Sequence, residues 1–270
     1  MNDDPARFVG DVPGSYDRGL GPVMFKWYAE EVARRVAKTK PRTVLETAAG
    51  TGIVSRALRD AIPHDSTLTI TDLNLPMLDI ARAKFAPGES VSIEVADAQH
   101  LAYRDKSFES MVCQFGVMFF PDQLVSFQQA RRVLLPGGEY HLSVWDSHAH
   151  NGFARIAHES VQQVFPDDPP PYFRIPFKDS AIAPMQDLFE RAGFDEIDVD
   201  VVPHQSPVER WDSFVDGLVF GSPLKAQIDA RGTHSAEEVH GLIVDGLTAE
   251  YGPAPATLPM QAILYRAIAS

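Results

Sequence analysis

Val44-Leu45-Glu46-Thr47-Ala48-Ala49-Gly50-Thr51-Gly52 decides how the rest of the chain reads. An apolar run ends in an acid, turns through two glycines and feeds residues 53–62, whose spacing predicts a helix. Glycine in such a turn lets the backbone pass close beneath a ligand, because no Cβ intrudes and positive φ is allowed. Helix amides behind the turn favour electron-rich groups. Taken alone, a G-x-G turn suits any α/β domain, so its surroundings have to select the ligand.

Those surroundings disfavour a phosphate. The dinucleotide fingerprint needs a third glycine at position 55, where this chain has Ser55. A P-loop needs a G-K-[ST] that does not follow here. Glu46 stands at the mouth of the turn, where a carboxylate repels a diphosphate and attracts an ammonium group. A nucleoside carrying an amino acid meets these conditions, and S-adenosylmethionine (SAM) is that molecule. Thr67-Leu68-Thr69-Ile70-Thr71-Asp72 alternates like a strand and ends in a second acid, placed to take both ribose hydroxyls. The run Val91-Ser92-Ile93-Glu94-Val95 leads to a third, Asp97, which suits the adenine amino group. Each acid alone reads equally as a solvated strand end or a helix cap. Together, ending three successive strands, they point to one ligand.

In these residues the chain resembles the class I SAM-dependent methyltransferases, and within them the type 11, ubiquinone/menaquinone-biosynthesis-like set. The matching stretches are VLETAAGTG (44–52), TITDLNLPMLDIAR (69–82), IEVADAQHL (93–101), SFESMVCQFGVMFFPD (107–122) and ARRVLLPGGEYHLSVWD (130–146). The resemblance covers residues 14–146 well and the remainder loosely. It implies a Rossmann-like, doubly wound seven-stranded sheet, mostly parallel with an antiparallel last strand. It places SAM, and its product S-adenosylhomocysteine, across the strand ends. The family often has glycine where Ala48 stands and aspartate where Glu109 stands; neither difference removes an acid or a turn glycine.

By that resemblance, Glu46, Thr47 and Ala48 hold the cofactor together with Gly50, Thr51 and Gly52 of the turn. Asp72, Leu73 and Met77 serve it after the second strand, and Asp97, Ala98 and Gln99 after the third. Gln114 and Phe115 line it at the fourth, while Tyr16 closes over the methionine end. Phe25, Met118, Phe119 and Phe120 are the expected walls of an acceptor pocket. Core packing is the alternative for the phenylalanines. His148 and His150 follow the fifth strand and are candidate bases near neutral pH, although a surface-loop role fits them as well.

Alternation of strands and helices predicts a parallel sheet wound on both sides. The expected strands are 43–47, 67–72, 91–95, 108–115 and 139–145, with helices over 20–38, 53–62, 75–85 and 124–134. Three regions follow: an arm and cap helix over 1–38, a SAM-binding core over 39–146, and a sheet completion over 147–270. Residues 1–18 read as a mobile arm. The last region carries helical insertions at 147–180 and 203–257, the second lying between strands expected at 195–202 and 258–269. An insertion of that length exceeds any hairpin need and reads as a substrate cap. Trp211, Phe214, Leu218 and Phe220 fall mostly on one helical face within it. Asp168-Pro169-Pro170-Pro171-Tyr172 resembles the D-P-P-Y motif of DNA amino-methyltransferases, but it lies far from the fourth strand and reads as loop stiffening.

Composition narrows the acceptor. The chain of 270 residues is 44% hydrophobic and carries a net charge of −13. Its last ninety residues hold 14 acids against 5 Lys and Arg. Phosphate neutralisation needs a basic surface, so no nucleic-acid partner is expected. The single cysteine, Cys113, admits no internal disulfide and fits a reducing cytoplasm. No apolar run of membrane-spanning length occurs, so no membrane insertion is expected. No metal is expected, because the fourth strand ends in Gln114 rather than an acid and Asp146 stands alone. The expected function is methyl transfer to a small, apolar or aromatic molecule by proximity and orientation. A SAM-binding module without turnover and a nicotinamide-dependent reductase remain as alternatives. Acceptor atom and oligomeric state are left open.

Overall fold

Seven strands form one sheet in the order β3-β2-β1-β4-β5-β7-β6 in the computed structural model, which describes residues 10 and 12–270. Strands β1 (Thr43–Glu46), β2 (Thr67–Asp72), β3 (Val91–Val95), β4 (Phe108–Gln114) and β5 (Leu134–Trp145) pair in parallel. Strand β7 (Ala256–Ala269) runs antiparallel to both β5 and β6 (Glu196–Val208). Chain order reverses between β1 and β4, which opens a crevice beyond the carboxyl ends of those strands. Apolar residues follow this layout: central β4 is buried almost throughout, whereas edge strand β3 is not.

Helices cover both faces. On one, Tyr140 of β5 packs against Phe127 of α5 (Gln123–Val133) and Phe189 of α7 (Ile182–Arg191). Its neighbours Glu139 and His141 face the other way, sharing a groove with Arg35 of α2 (Lys26–Val36). Helix α3 (Ile53–Ala61) packs on α2, and α4 (Leu75–Arg82) follows β2. Local chemistry sets several starts: Asp122 caps α5 by accepting from the Val125 amide at 3.0 Å. Leu134 ends α5 three residues before the positive-φ Gly137, and a bulged register carries Leu134–Gly138 into β5.

Two segments differ from their expected form. Val12–Gly19 is a helix, α1, rather than part of an irregular arm; residues 1–9 and 11 lie outside the described residues. Strands β6 and β7 pair continuously from Glu196↔Ile268 to Val208↔Ala256, so the helical insertion shrinks to residues 209–255. Pro203 and Pro207 sit on edge strand β6, where a missing amide costs no sheet bond, and so the prolines do not end it. The insertion comprises α8 (Trp211–Phe220), α9 (Leu224–Asp229) and α10 (Ala236–Tyr251), and α6 (Gly152–Val164) packs against α10. Ser235 caps α10 by accepting from Glu238, with Glu237 and Glu238 in the positive first turn.

Helix α1 lies on α8 with almost no side chain between them. A Cβ at Gly221 would fall 2.6 Å from the Tyr16 amide nitrogen, and one at Gly19 would fall 2.6 Å from Gly217 Cα. Glycine is required at this crossing because the two backbones touch. The insertion is thereby bound to the segment that carries Tyr16.

Candidate active site

The turn after β1 is wound left-handed at three residues: Ala48 (φ 52°), Gly50 (φ 55°) and Gly52 (φ 78°). Gly50 faces open space, while a Cβ on Gly52 would strike Ala81 of α4 at 2.7 Å. Ala48 adopts a backbone region that L-residues populate at a cost of about 1–2 kcal/mol. Strain of this kind concentrates where a chain serves a ligand.

Around the turn lies a cleft of about 290 Å³ whose walls include Ala48, Gly50, Asp72, Asp97 and Phe115. Asp72 Oδ2 accepts from the Gly50 amide at 2.8 Å, and Oδ1 accepts from the Asn74 amide at 2.8 Å. Burial pushes the Asp72 carboxyl upward against those hydrogen bonds. Asp97 is more open. Its Oδ1 accepts from the Gln99 amide at 2.8 Å, and these bonds hold its carboxyl below the usual range.

Glu46 lies behind the turn and is only 1% exposed. Its Oε2 has no hydrogen-bond partner among the described residues. Desolvation pushes its carboxyl up to about 8, helped by the Asp72 charge and opposed by the Ser55 hydroxyl. Gln114 Oε1 is likewise buried and unpartnered. These two buried acceptors, at the ends of β1 and β4, are matched to a hydrogen-bond donor.

A second compartment of about 50 Å³ adjoins the cleft, and Tyr16, Phe115 and Phe119 line both. Phe115 stacks on Trp145 at 3.9 Å with planes 1° apart, and Tyr16 stacks on Phe25 at 5.1 Å. Phe153, Phe173 and Phe177 extend the wall, with Leu218 and Ser222 from the insertion side. Among the described residues, no charged side chain lines this compartment. The described side chains with polar groups along its wall are Tyr16, Trp145, Tyr172 and Ser222.

The positions expected from sequence divide into three sets. Tyr16, Ala48, Gly50, Asp72, Leu73 and Met77 line the cleft, as do Asp97, Ala98, Gln99, Phe115, Phe119 and Phe120. Glu46, Thr47, Thr51 and Gln114 are buried just behind it, with Gly52 at the turn. Phe25 lines the aromatic compartment. Met118 does not: the short 3-10 turn Val117–Phe119 rotates it inward to 1% exposure, in the core. His150 is exposed, and His148 hydrogen-bonds through Nε2 to the Phe173 carbonyl oxygen at 3.0 Å; neither lines either compartment. Of the four insertion apolars, only Leu218 reaches the compartment. Phe214 packs on Phe153, and Phe220 stacks on His240.

Sequence reading missed Asn74 and Gly116 in the cleft, and Trp145, Tyr172, Phe177 and Ser222 in the aromatic compartment. Tyr172 follows the proline run, whose stiffness delivers the ring to the site. Trp145 had a signal, as the last residue of β5 at the sheet edge that carries the cleft.

Volume does not single out this region. Grooves of about 780 and 480 Å³ lie along α2–α3 and on the β5–β7–β6 face. Several of their charges are paired: Arg56 with Asp60 and Glu89, Lys84 with Asp17, and Arg266 with Glu139 and Asp198. Among the described residues, no cluster of three or more His, Cys, Asp or Glu side chains is arranged for a metal ion. No described helix is long and apolar enough to cross a membrane.

Known proteins share this architecture. The chain is similar to the YcgJ protein from Bacillus subtilis, with 17% identity, a TM-score of 0.57, and coverage of 90% of this chain and 98% of that one. It also resembles Haemonchus contortus phosphoethanolamine N-methyltransferase 2, solved with phosphomonomethylethanolamine and S-adenosylhomocysteine. Identity there is 16% and the TM-score 0.60, covering 95% of this chain and 57% of the other. At such identities the likeness is one of fold. Demethylmenaquinone methyltransferase from Staphylococcus aureus (strain MRSA252) is 30% identical over 135 residues, 49% of this chain and 56% of that protein. The chain thus spans about half the length of the curated relatives it matches. The model of the ubiE/COQ5 methyltransferase family matches residues 23–167, more than half of the chain, which therefore belongs to that family.

Proposed function

We propose that this protein transfers a methyl group from SAM to a small, neutral, apolar or aromatic acceptor. One observation carries the reading: a polar cleft with a buried, unpartnered acid opens, across Tyr16, Phe115 and Phe119, into an aromatic compartment that none of the described charged side chains lines. Glu46 and Gln114 fit the ammonium end of the cofactor, because each has an acceptor oxygen lacking a donor. Asp72 is suited to the ribose hydroxyls through Oδ2, which accepts from the Gly50 amide, while Oδ1 serves both the amide and the side chain of Asn74. Asp97, on the open side, is suited to the adenine amino group.

When bound, SAM supplies an electrophilic methyl on a sulfonium with an excellent leaving group. The protein's task is then to hold an acceptor in line and keep water out. Aromatic walls do both for a neutral ring. A charged acceptor would enter without a partner, at a cost of several kcal/mol. None of the described residues that line the compartment is a cation able to receive a phosphorylated acceptor such as the one bound by the Haemonchus contortus enzyme. It is better matched to the kind of acceptor named in the Staphylococcus aureus relatives, demethylmenaquinone. The cap insertion contributes through Leu218 and Ser222, and through the grip of α8 on Tyr16.

Label transfer from methyl-labelled SAM to a panel of phenols, quinols and amines tests the proposal, with SAM binding measured in parallel. Transfer to neutral ring acceptors is expected. SAM binding without transfer to any of them would instead favour a binding module.

A further inference from the structure

Phe115 enters the cofactor cleft in a backbone conformation that an L-residue adopts only at a cost. Of the four non-glycine residues with positive φ among the described residues, two line that cleft: Ala48 (φ 52°) and Phe115 (φ 53°). Such strain persists where the surroundings fix it. The Phe115 amide donates to the Ser143 carbonyl on β5 at 2.9 Å. One residue on, a Cβ at Gly116 would fall 2.4 Å from the Ala48 Cβ, so the chain is also pressed against the glycine turn. Between these two fixed points the ring lies flat on Trp145, 3.9 Å away with planes 1° apart.

Neighbouring rings show which face of this stack they leave uncovered. Tyr28 is 5.7 Å from Phe115 and 5.5 Å from Trp145, nearly perpendicular to both. Phe25 is 5.9 and 6.2 Å from the same two rings. A ring over the outer face of Phe115 would be farther from Trp145 by about the height of the stack. Both neighbours are instead almost equidistant, so both stand beside the stack and neither covers that face. Trp145 takes the β5 side of Phe115. The opposite face is turned toward β1, and it is Phe115, not Trp145, that lines the cleft.

We propose that this face of Phe115 is a charge-selective seat, which holds the sulfonium of the methyl donor by cation–π attraction and discriminates it from the neutral thioether of the spent cofactor. The inference rests on the reading of the cleft as a SAM site. A sulfonium is a full positive charge with no N–H or O–H, so the acceptors of the cleft can give it no hydrogen bond. An aromatic face within about 6 Å attracts such a cation through the ring quadrupole, and more strongly where water is excluded. Phe115 is only 8% exposed. Among the described residues, the charged side chains lining the cleft are Asp72 and Asp97, which already accept from Gly50, Asn74 and Gln99. Methyl transfer removes the charge, because the S–CH3 bonding pair stays on sulfur as the acceptor atom takes the methyl. The attraction is therefore present before transfer and lost after it, which favours exchange of product for fresh donor. Trp145 is a positioning residue that holds the ring flat and keeps its one free face on the cleft.

The test measures equilibrium binding of three ligands to the full chain at neutral pH. They are SAM, sinefungin, whose amine puts a positive charge in place of the sulfonium, and S-adenosylhomocysteine, which is neutral there. Adenosine and amino acid ends are common to all three, so ratios of affinity cancel what Glu46, Asp72 and Asp97 contribute. Phe115→Leu keeps an apolar side chain and is expected to weaken SAM and sinefungin about five- to tenfold relative to S-adenosylhomocysteine. Phe115→Tyr should keep the wild-type ratio. Replacing Phe115 by ring-fluorinated phenylalanine preserves the shape, withdraws electron density from the face and should lower the ratio in the same direction; this replacement decides the matter if Phe115→Leu does not fold. Equal weakening of all three ligands in Phe115→Leu would overturn the proposal alone, as would a fluorinated ring with the wild-type ratio. If the wild type binds none of the three, the reading of the cleft as a SAM site falls and this inference falls with it.

Discussion

The cofactor cleft and the aromatic compartment share three residues but are built by opposite means. Backbone geometry and strand-end acids make most of the cleft, from residues that lie close in sequence to the glycine turn or to the ends of β2, β3 and β4, with Tyr16 added from α1. Side chains from α1, β4, β5, α6, the 3-10 turn after the prolines and α8 make the compartment, and none of them is charged. The cleft holds an acid in an unfavourable, desolvated state, whereas the compartment offers hydroxyls and ring faces. Molecules with a fixed charged end suit the first and neutral rings the second. The division of labour between cofactor and acceptor thus follows from where the protein leaves charge unpaired.

Removing the acid should separate the two regions most sharply. Glu46→Gln is expected to weaken SAM about ten- to hundredfold, the worth of a charge-assisted hydrogen bond of about 1.5–3 kcal/mol. The same variant should be no less stable without ligand at pH 8, because a buried charge has gone. Calorimetric titration and thermal unfolding measure the two effects. A variant that binds SAM as the wild type does would unseat Glu46.

Titration of the same carboxyl gives the next largest effect. Glu46 is pushed to about 8 in the folded chain, above the 4.5 of an ordinary glutamate. Between these values the native state holds a proton that the unfolded state has lost, so this group's contribution to stability falls as pH rises through the window. An ammonium ligand favours the ionised form. SAM affinity should therefore rise with pH below about 8, approaching tenfold per unit, and a proton should be released on binding at pH 7. Binding in buffers of different ionisation enthalpy detects that proton. A pH-independent affinity in the wild type would contradict it.

At the junction, Gly221→Ala places a Cβ against the Tyr16 backbone, 2.6 Å from its nitrogen. Overpacking of this kind costs about 1–3 kcal/mol. Because Tyr16 lines both regions, SAM affinity and acceptor turnover should fall together. Phe177→Leu touches only the aromatic side and should lower acceptor kcat/KM by about fivefold, the worth of about 1 kcal/mol of ring packing, with SAM affinity unchanged. A loss of SAM binding in Phe177→Leu would show the compartments to be inseparable. EDTA should leave turnover unchanged, since strand β4 ends in Gln114 and Asp146 is engaged by Gln261 at 2.7 Å.

The same contrast explains what was legible beforehand. Glu46, Gly50, Asp72 and Asp97 could be read directly because a turn and a strand end are local events, and their order in the chain matches their order in the sheet. Strand periodicity also gave the sheet through β5, whose pairing needs no distant contact to recognise. Reading failed where the third dimension chose the neighbours. Met118 follows β4 in an apolar run, but a 3-10 turn sends it inward while Phe119 stays at the junction. Tyr172 and Ser222 are 50 residues apart and meet only because α8 and the proline loop close on one space. The prolines of β6 hid six residues of edge strand, so the helical insertion was expected to be longer than it is.

A structure of the protein soaked with S-adenosylhomocysteine would test directly whether the polar cleft delivers a methyl group to the aromatic compartment. We expect the amino group against Glu46, the ribose on Asp72, and the sulfur at the junction of Tyr16, Phe115 and Phe119, facing Trp145 and Tyr172. A sulfur turned toward solvent, or a ligand seated with its amino acid away from Glu46, would contradict that delivery.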